Sequence, residues 1–525
     1  MDRDLISWSR RGLLALPAAL AVAPAQASAA AGPVARTQYG RVRGASADGL
    51  FVFKGIRYGA DTAPRRFQAP APPTPWRGVA DALAYGAASP QRGMEPNQSE
   101  DCLFLNVWTP AFDHARRAVM VYIHGGAYSS GSGSGALLDG ARLAKHGDVV
   151  VVTLNHRLGA LGYAYLARIG GDAFADSGNT GQLDLILALQ WVRDNIAEFG
   201  GDPGRVMVFG QSGGGAKIAT LMAMPAAASL FHRAATMSGQ QVTASGPLNA
   251  TRRAESFVQA AGLTHDTIAQ IRTLPVARVL DAMAPTDPVL GFGSLYFGPV
   301  LDEKNLLRHP FYPDAAPQSL SIPMMLGNMH DETRGFVGGD RSVFDLSWDD
   351  VPHRLESAMR VDISPELVVR EYRRLYPNYS PSDVYFAAST AARSWRGQVI
   401  EAEERARAGA PGYVYQLNWR APAEGGIFGS PHTLDIPLVF GNLEASSFVG
   451  ERTAEGEAMS RQMMDAFVAF AKTGDPNCAS IPRWAPYTLP TRETMIFDTV
   501  SRMENDPRRA ERELFAKVPY IQPGA

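Results

Sequence analysis

Val206 to Phe209 is an apolar run that enters Gly210-Gln211-Ser212-Gly213-Gly214 and passes directly into a helix-compatible segment. Few backbones satisfy that order of residues. Glycines at 210 and 214 leave room where side chains would crowd a sharp strand-to-helix turn. A serine at the apex has its hydroxyl held above the sheet, and the next backbone N–H sits beside any oxyanion formed there. The pentapeptide therefore points to an acyl-transfer serine enzyme on a parallel α/β sheet.

The flanking sequence carries the same grammar. Ala118 to Ile123 and Val149 to Leu154 are short, Val-rich apolar runs suited to interior parallel strands. Leu183, Leu187, Trp191 and Ile196, with Leu185, Leu189 and Val192 nearby, form a broad apolar face of a helix between Leu183 and Phe199, with Asn179 or Thr180 as its cap and Gly200 to Pro203 as its stop. Strand, crossover helix, strand is the unit of a parallel sheet. Further strands are expected at Tyr39–Gly44, Leu50–Phe53, Ile322–Leu326 and Tyr413–Leu417, and a late amphipathic helix at Met459–Ala471. Prolines from Pro64 to Pro75 prescribe a wrapping loop. Helical patterns near Glu255, Val279 and Leu355 place insertions above the sheet between about 250 and 400.

The first residues obey a different logic. Ser9-Arg10-Arg11-Gly12-Leu13-Leu14, an Ala/Leu-rich stretch and small-residue sites at Ala25–Ala29 follow one another in the order of an export signal. The arginine pair resembles a twin-arginine signal, so residues 1–29 are expected to be removed and the mature chain to be periplasmic or secreted in a bacterium. The apolar stretch is too short and too Ala-rich for a good spanning helix, and no stable membrane anchor is expected after processing. With 50 Lys and Arg against 52 Asp and Glu there is no basic stripe, and hence no case for nucleic acid. Cys102 and Cys478 are the only cysteines and are expected to be two free, buried thiols.

A hydroxyl near its free pKa needs a base and a group to orient that base. Of ten histidines, His432 is the leading base, in a loop before the apolar Leu434–Pro437 segment. His124 is better placed to shape a glycine loop, and His232 to pack beside the nucleophile helix. If the chain order is serine, acid, histidine, the acid lies in His330-Asp331-Glu332, just past the Ile322–Leu326 strand, and either carboxylate could serve. Adjacent residues do not converge on a metal by themselves, so no metal is assigned. His124-Gly125-Gly126-Ala127 follows its strand directly. The Gly126 and Ala127 amides, joined by that of Gly213, are the candidate donors to a tetrahedral oxyanion.

These residues resemble the type-B carboxylesterase family, the cholinesterase-like branch of the α/β-hydrolases. The resemblance includes Phe53–Tyr58, Ser99–Asn106, Asn155–Gly159, Gly178–Gly181, Trp191–Pro203, Phe231–Ala234, His432–Gly441 and Phe470–Asn477, nearly the whole mature chain. It implies an α/β-hydrolase fold, a large, mostly parallel central sheet flanked by helices with helical insertions above the active site, over one catalytic domain at 30–525. It also implies a Ser212–His432–Glu332 triad, settling the acid as Glu332, and an oxyanion hole from Gly126, Ala127 and Gly213. Ser238 occupies the position of a supporting polar layer. The implied reaction is hydrolysis of a small carboxylic ester by water through an acyl-enzyme, without metal or cofactor. A lipase acting on longer acylglycerols, or a catalytically silent binding protein on the same fold, are the alternatives. Three departures stand out. Gln211 replaces the usual glutamate, which disfavours cationic choline esters. Thr333 replaces a glycine after the acid. Cys102 lacks its upstream partner.

Overall fold

A computed structural model of the protein describes residues 32–93, 95–522 and 524. The expected export segment lies outside them. From one edge to the other, the central sheet is built of Arg502–Asn505, Glu493–Phe497, Gly412–Leu417, Met324–Met329, Arg233–Met237, Gly201–Gln211, Arg117–Ile123, Val150–Leu154, Phe104–Thr109, Leu50–Arg57 and Ala45–Ala47. The seven strands from Glu493–Phe497 to Val150–Leu154 run parallel, and antiparallel strands close both edges. This is the α/β-hydrolase architecture. A second sheet joins Val34–Thr37, Gly40–Arg43 and Val79–Asp81.

The central strands are buried on both faces because their runs are mostly apolar, and the two-residue period splits those side chains between two cores. Val119, Val121, Val150, Val152, Val206 and Val208 point to the face covered by the helix Thr180–Asn195, through Leu185, Leu189 and Val192. Met120, Tyr122, Val151, Met207 and Phe209 point to the other, covered by Ala454–Thr473 through Met459, Met463 and Phe467. Each such aliphatic side chain contributes on the order of 1.5–3 kcal/mol on burial.

Several boundaries differ from expectation. The strand leading to Ser212 spans Gly201–Gln211 rather than beginning at Val206, because Gly201 pairs with Arg117 across a bulge and Asp202 is held by Arg116 and Arg205 at 2.9 and 3.0 Å. The strand expected at Ile322–Leu326 is Met324–Met329. Pro323 has no N–H to give the ladder, while pairing with Gly412–Leu417 carries the strand on to Met329. Asn179 precedes the helix Thr180–Asn195 without capping it; its side chain donates instead to Val300 O and Asp302, both at 2.8 Å. Both cysteines are free, but only Cys102 is buried; Cys478 is half-buried beside Ser480. Strands Phe104–Thr109, Arg233–Met237 and Glu493–Phe497 lie outside those expected, because Asn106, Arg233, Thr236, Glu493 and Thr494 interrupt the apolar run that marks an interior strand.

Candidate active site

Five neighbouring parallel strands bring the candidate residues to one edge of the sheet. Arg117–Ile123 leads into the Gly125–Ala127 loop, Gly201–Gln211 into Ser212, and Arg233–Met237 into Ser238; Met324–Met329 precedes Glu332, and Gly412–Leu417 precedes the His432 loop. Groups far apart in sequence thus meet outside the carboxyl ends of the strands, where open α/β sheets bind ligands.

The turn at Ser212 is strained and tightly enclosed. Its φ of 55° and ψ of −124° belong to a region that costs a non-glycine residue on the order of 1–3 kcal/mol. A hydrogen bond from Ser212 N to Met237 O, 2.7 Å, ties the turn to the next strand. A β-carbon on Gly214 would lie 2.0 Å from Ile123 O, and one on Gly210 would lie 2.6 Å from the same oxygen. The two glycines therefore let the elbow rest on the neighbouring strand. At Gly213 a β-carbon would lie 2.1 Å from Ala127 O, so the elbow and the glycine loop touch backbone to backbone. Among the described residues the Gly126 and Ala127 amides donate to no acceptor, and Gly213 opens its helix, where an N–H has no helical partner. Three backbone donors thus border one cavity beside Ser212.

His432 Nδ1 is hydrogen-bonded to Glu332 Oε2. The other carboxylate oxygen, Oε1, accepts from Asn328 Nδ2 and Met329 N, both at 2.9 Å. Burial pushes the Glu332 carboxyl up, but the adjacent imidazole and these hydrogen bonds more than offset it and hold it below its ordinary value. Ser238, with φ of 51°, lies beside Glu332, and its buried hydroxyl stops short of a well-formed hydrogen bond. Because Nδ1 gives its proton to Glu332, Nε2 is the nitrogen left to accept one.

Gln211 and Phe336 pack on the imidazole. The Gln211 amide nitrogen is 3.3 Å from Nδ1 and 3.1 Å from Nε2. A point so nearly equidistant from both would collide with Cε1 if it lay in the ring plane, so the amide lies over the ring face. The in-plane lone pair of Nε2 stays open. Phe336 packs on the ring at a centroid distance of 4.2 Å. It stands on the short helix Glu332–Val337, which approaches the His432 backbone where Gly335 lacks a side chain.

The rival carboxylate has other work. Asp331 accepts from Ser430 N at 3.0 Å and lies 3.2 Å from His330 and 3.5 Å from Arg334, bracing the loop that carries His432. Thr333 binds Thr390 through its amide and hydroxyl at 3.2 and 3.0 Å, so the departure from glycine ties the acid to the helix Pro381–Thr390. His232 Nδ1 accepts from Val206 N at 3.2 Å and remains structural. His124 is buried at the base of the glycine loop, its Nδ1 2.9 Å from Gly125 O, and burial, then the charge of Lys217, pushes it down to about 3.

The cavity, about 370 Å³, is lined beyond these residues by Tyr128, Gln241, Tyr296, Arg393 and Tyr520. None of the five was singled out by sequence. Phe336 carried one usable signal, standing one helical turn after Glu332. Trp395 and Trp419 are buried in the core, as their type implies. Among the described residues no group of three His, Cys, Asp or Glu side chains could hold a metal, and no helix is long and apolar enough to cross a membrane.

The sequence pattern of the Carboxylesterase family spans residues 31–515. The para-nitrobenzyl esterase of Bacillus subtilis is 36% identical over 498 residues, covering 91% of this chain and 98% of its own. The crystal structure of a Geobacillus stearothermophilus carboxylesterase at pH 6.2 superposes with a TM-score of 0.82 at 35% identity, over 92% of this chain and 99% of that one. An esterase from the anaerobe Clostridium hathewayi that can hydrolyse aliphatic aromatic polyesters superposes with a TM-score of 0.76 at 32% identity, over 93% and 98%. Similarity that runs through nearly the full length of each relative leaves one assignment: the chain belongs to the carboxylesterase family and is a carboxylic ester hydrolase.

Proposed function

We propose that Ser212, His432 and Glu332 are the catalytic triad of this hydrolase and that the Gly126, Ala127 and Gly213 amides form its oxyanion hole. The observation that carries this reading is the buried Glu332 carboxylate bonded to His432 Nδ1, on the cavity that also holds Ser212 and three unused backbone donors. His432 Nε2 takes the Ser212 proton as the hydroxyl attacks the ester carbonyl. The three amides stabilise the oxyanion, and the histidinium protonates the departing alcohol. Water then attacks the acyl-enzyme through the same base and releases the acid. Glu332 fixes the ring orientation and tautomer and stabilises the imidazolium. Gln211 and Ser238 support the ring and the acid.

The catalytic domain runs from about 30 to 525, and its 250–400 segments form a cap over the site. Tyr296, Phe336, Arg393 and Ser394, all from those segments, line the cavity and support this assignment. Its modest volume of about 370 Å³ favours small esters over long acyl chains. Burst release of p-nitrophenolate from p-nitrophenyl acetate is expected to titrate one site per chain and to disappear in S212A. Full turnover by purified S212A sinks the assignment.

Export by the twin-arginine route to the periplasm or medium completes the proposal. The Ser9–Leu14 pattern supports it, as do two unpaired cysteines in a chain that need not fold oxidatively. Replacing Arg10 and Arg11 by lysine is expected to retain the enzyme in the cytoplasm; unchanged export would refute the route.

A further inference from the structure

Arg393 is the one side chain with a permanent charge among the described residues that line the cavity. Among the described residues its guanidinium has no carboxylate partner and donates no hydrogen bond, in contrast to Arg157, Arg253 and Arg508, which are paired with Asp184, Asp287 and Glu511. The guanidinium lies over the Phe336 ring, 4.2 Å from its carbon to the ring centroid. That same ring packs 4.2 Å from the His432 imidazole. The guanidinium carbon therefore stands no further than twice 4.2 Å from the centre of the catalytic ring.

The backbone is built to present this residue. Ala391–Trp395 is a π-helical turn between the helices Pro381–Thr390 and Arg396–Arg407. Such a turn inserts one residue per turn and re-aims the side chains it carries, and it recurs at functional sites. It is tied down on both sides. Tyr520 Oη donates to Arg393 O at 3.2 Å, and Arg360 N donates to Ala392 O at 3.1 Å.

A second guanidinium bears on Arg393. Burial, then the charge of Arg360, holds the Arg393 guanidinium below its ordinary value. Arg360 is itself committed to the Ser357 and Met359 carbonyls at 3.3 and 3.2 Å. Glu332, whose charge partly offsets that of Arg360, is already engaged by Asn328, Met329 and His432. Gln211 supplies no negative charge where a carboxylate would. A partly desolvated guanidinium without a counter-ion is unfavourable alone and is relieved by a planar, bidentate anion.

We propose that Arg393 is a specificity residue that receives a free carboxylate on the substrate, so that the enzyme prefers esters bearing a carboxylate a short chain away from the scissile bond. The carboxylate could belong to the acyl half, as in a half-ester of a dicarboxylic acid, or to the alcohol half, as in an O-acyl hydroxy acid. The inference rests on Ser212 as nucleophile. That reading has its own test, since turnover of p-nitrophenyl acetate by the wild type and its loss in S212A stand whatever the carboxylate preference proves to be.

The experiment compares kcat/KM for monoethyl adipate with that for its ω-carboxamide, and for 5-acetoxypentanoate with that for 5-acetoxypentanamide. The wild type is expected to favour the carboxylate by about tenfold or more in one pair, which identifies the side of the ester that faces Arg393. In R393Q that ratio is expected to fall to about one, and in R393K to an intermediate value, because an ammonium keeps the charge and loses the fork. For the wild type, KM of the preferred carboxylate substrate is expected to rise with sodium chloride while that of its amide does not. Equal rates for carboxylate and amide in both pairs overturn the proposal. So does a ratio that survives in R393Q, the result expected if Arg393 acts only through Phe336 on the imidazole.

Discussion

Glu332→Gln separates the two tasks that a buried acid performs, because it keeps shape and removes charge. Glu332 is fully buried. Its Oε1 accepts two hydrogen bonds at 2.9 Å, from Asn328 Nδ2 and Met329 N, and its Oε2 accepts from His432 Nδ1. A glutamine has one acceptor oxygen and one donor nitrogen at these places. Turning the nitrogen toward Asn328 and Met329 would set donor against donor twice and leave both unsatisfied, at about 1–3 kcal/mol each. The amide oxygen therefore stays with the pair, and its NH2 faces Nδ1. Nδ1 must then accept, the imidazole carries its proton on Nε2, and the base can no longer take the Ser212 proton. Loss of the base tautomer together with the imidazolium's counter-charge is expected to lower kcat by about 10³–10⁴, equivalent to about 4–5.5 kcal/mol of transition-state stabilisation. The assay is steady-state hydrolysis of p-nitrophenyl acetate, with circular dichroism melts to establish that the variant is folded. D331N is the matched control. Its carboxylate serves Ser430 and the basic pair His330 and Arg334, so it is expected to retain at least a hundredfold more activity than E332Q. A folded E332Q within tenfold of wild type, or a D331N that falls as far, would refute the reasoning.

Three further outcomes follow from the same packing. G214A places a β-carbon 2.0 Å from Ile123 O, which must drive the elbow from its neighbouring strand; ester turnover is expected to vanish and the melting temperature to fall, and a stable, active G214A would contradict the close approach. Lys217 is buried with its Nζ 3.1 Å from His124 O, and burial pushes it down from 10.5 to about 7. Between those values the unfolded chain binds the extra proton, so this residue makes stability rise with pH by up to about 1.4 kcal/mol per unit. K217M should be the more stable near pH 7 and should lose that rise, as read from urea midpoints at pH 7 and pH 9. Glu401 accepts from Gln241 N at 2.7 Å, and burial pushes it up to about 8. The native state then holds the extra proton between the ordinary carboxyl value and about 8, so the stability Glu401 contributes is complete below that ordinary value and lost as pH rises through about 8. E401Q is expected to gain on the wild type between pH 6 and pH 9, and parallel curves would remove Glu401 as the cause.

The parts of the molecule legible in sequence are those where one local constraint dominates. Gly210 and Gly214 announced the elbow because no other residue fits between it and Ile123 O. Val150 to Leu154 read as an interior strand because all five side chains are buried. Boundaries were less legible where a partner decides them: Gly201–Gln211 begins early because Arg117 pairs with Gly201, and Met324–Met329 ends late because Leu417 pairs with Met329. Choosing Glu332 over Asp331 needed family resemblance, since adjacent carboxylates differ only in which way the turn points them. Asn179 looked like a cap and instead binds Val300 and Asp302, a long-range demand that outweighed local preference. Tyr128, Tyr296, Arg393 and Tyr520 carried no local signal, because what makes them cavity residues is the path of distant segments over the sheet. Arg393 in particular depends on a π turn that no hydrophobic period encodes.

The central claim, that Ser212 is the nucleophile of a single active site, is tested most directly by mass spectrometry after reaction with diethyl p-nitrophenyl phosphate. One diethylphosphoryl group per chain, carried on the peptide containing Ser212 and matched by the loss of ester turnover, is the predicted result. Stoichiometric labelling of S212A, or inactivation with the adduct on another residue, would contradict it.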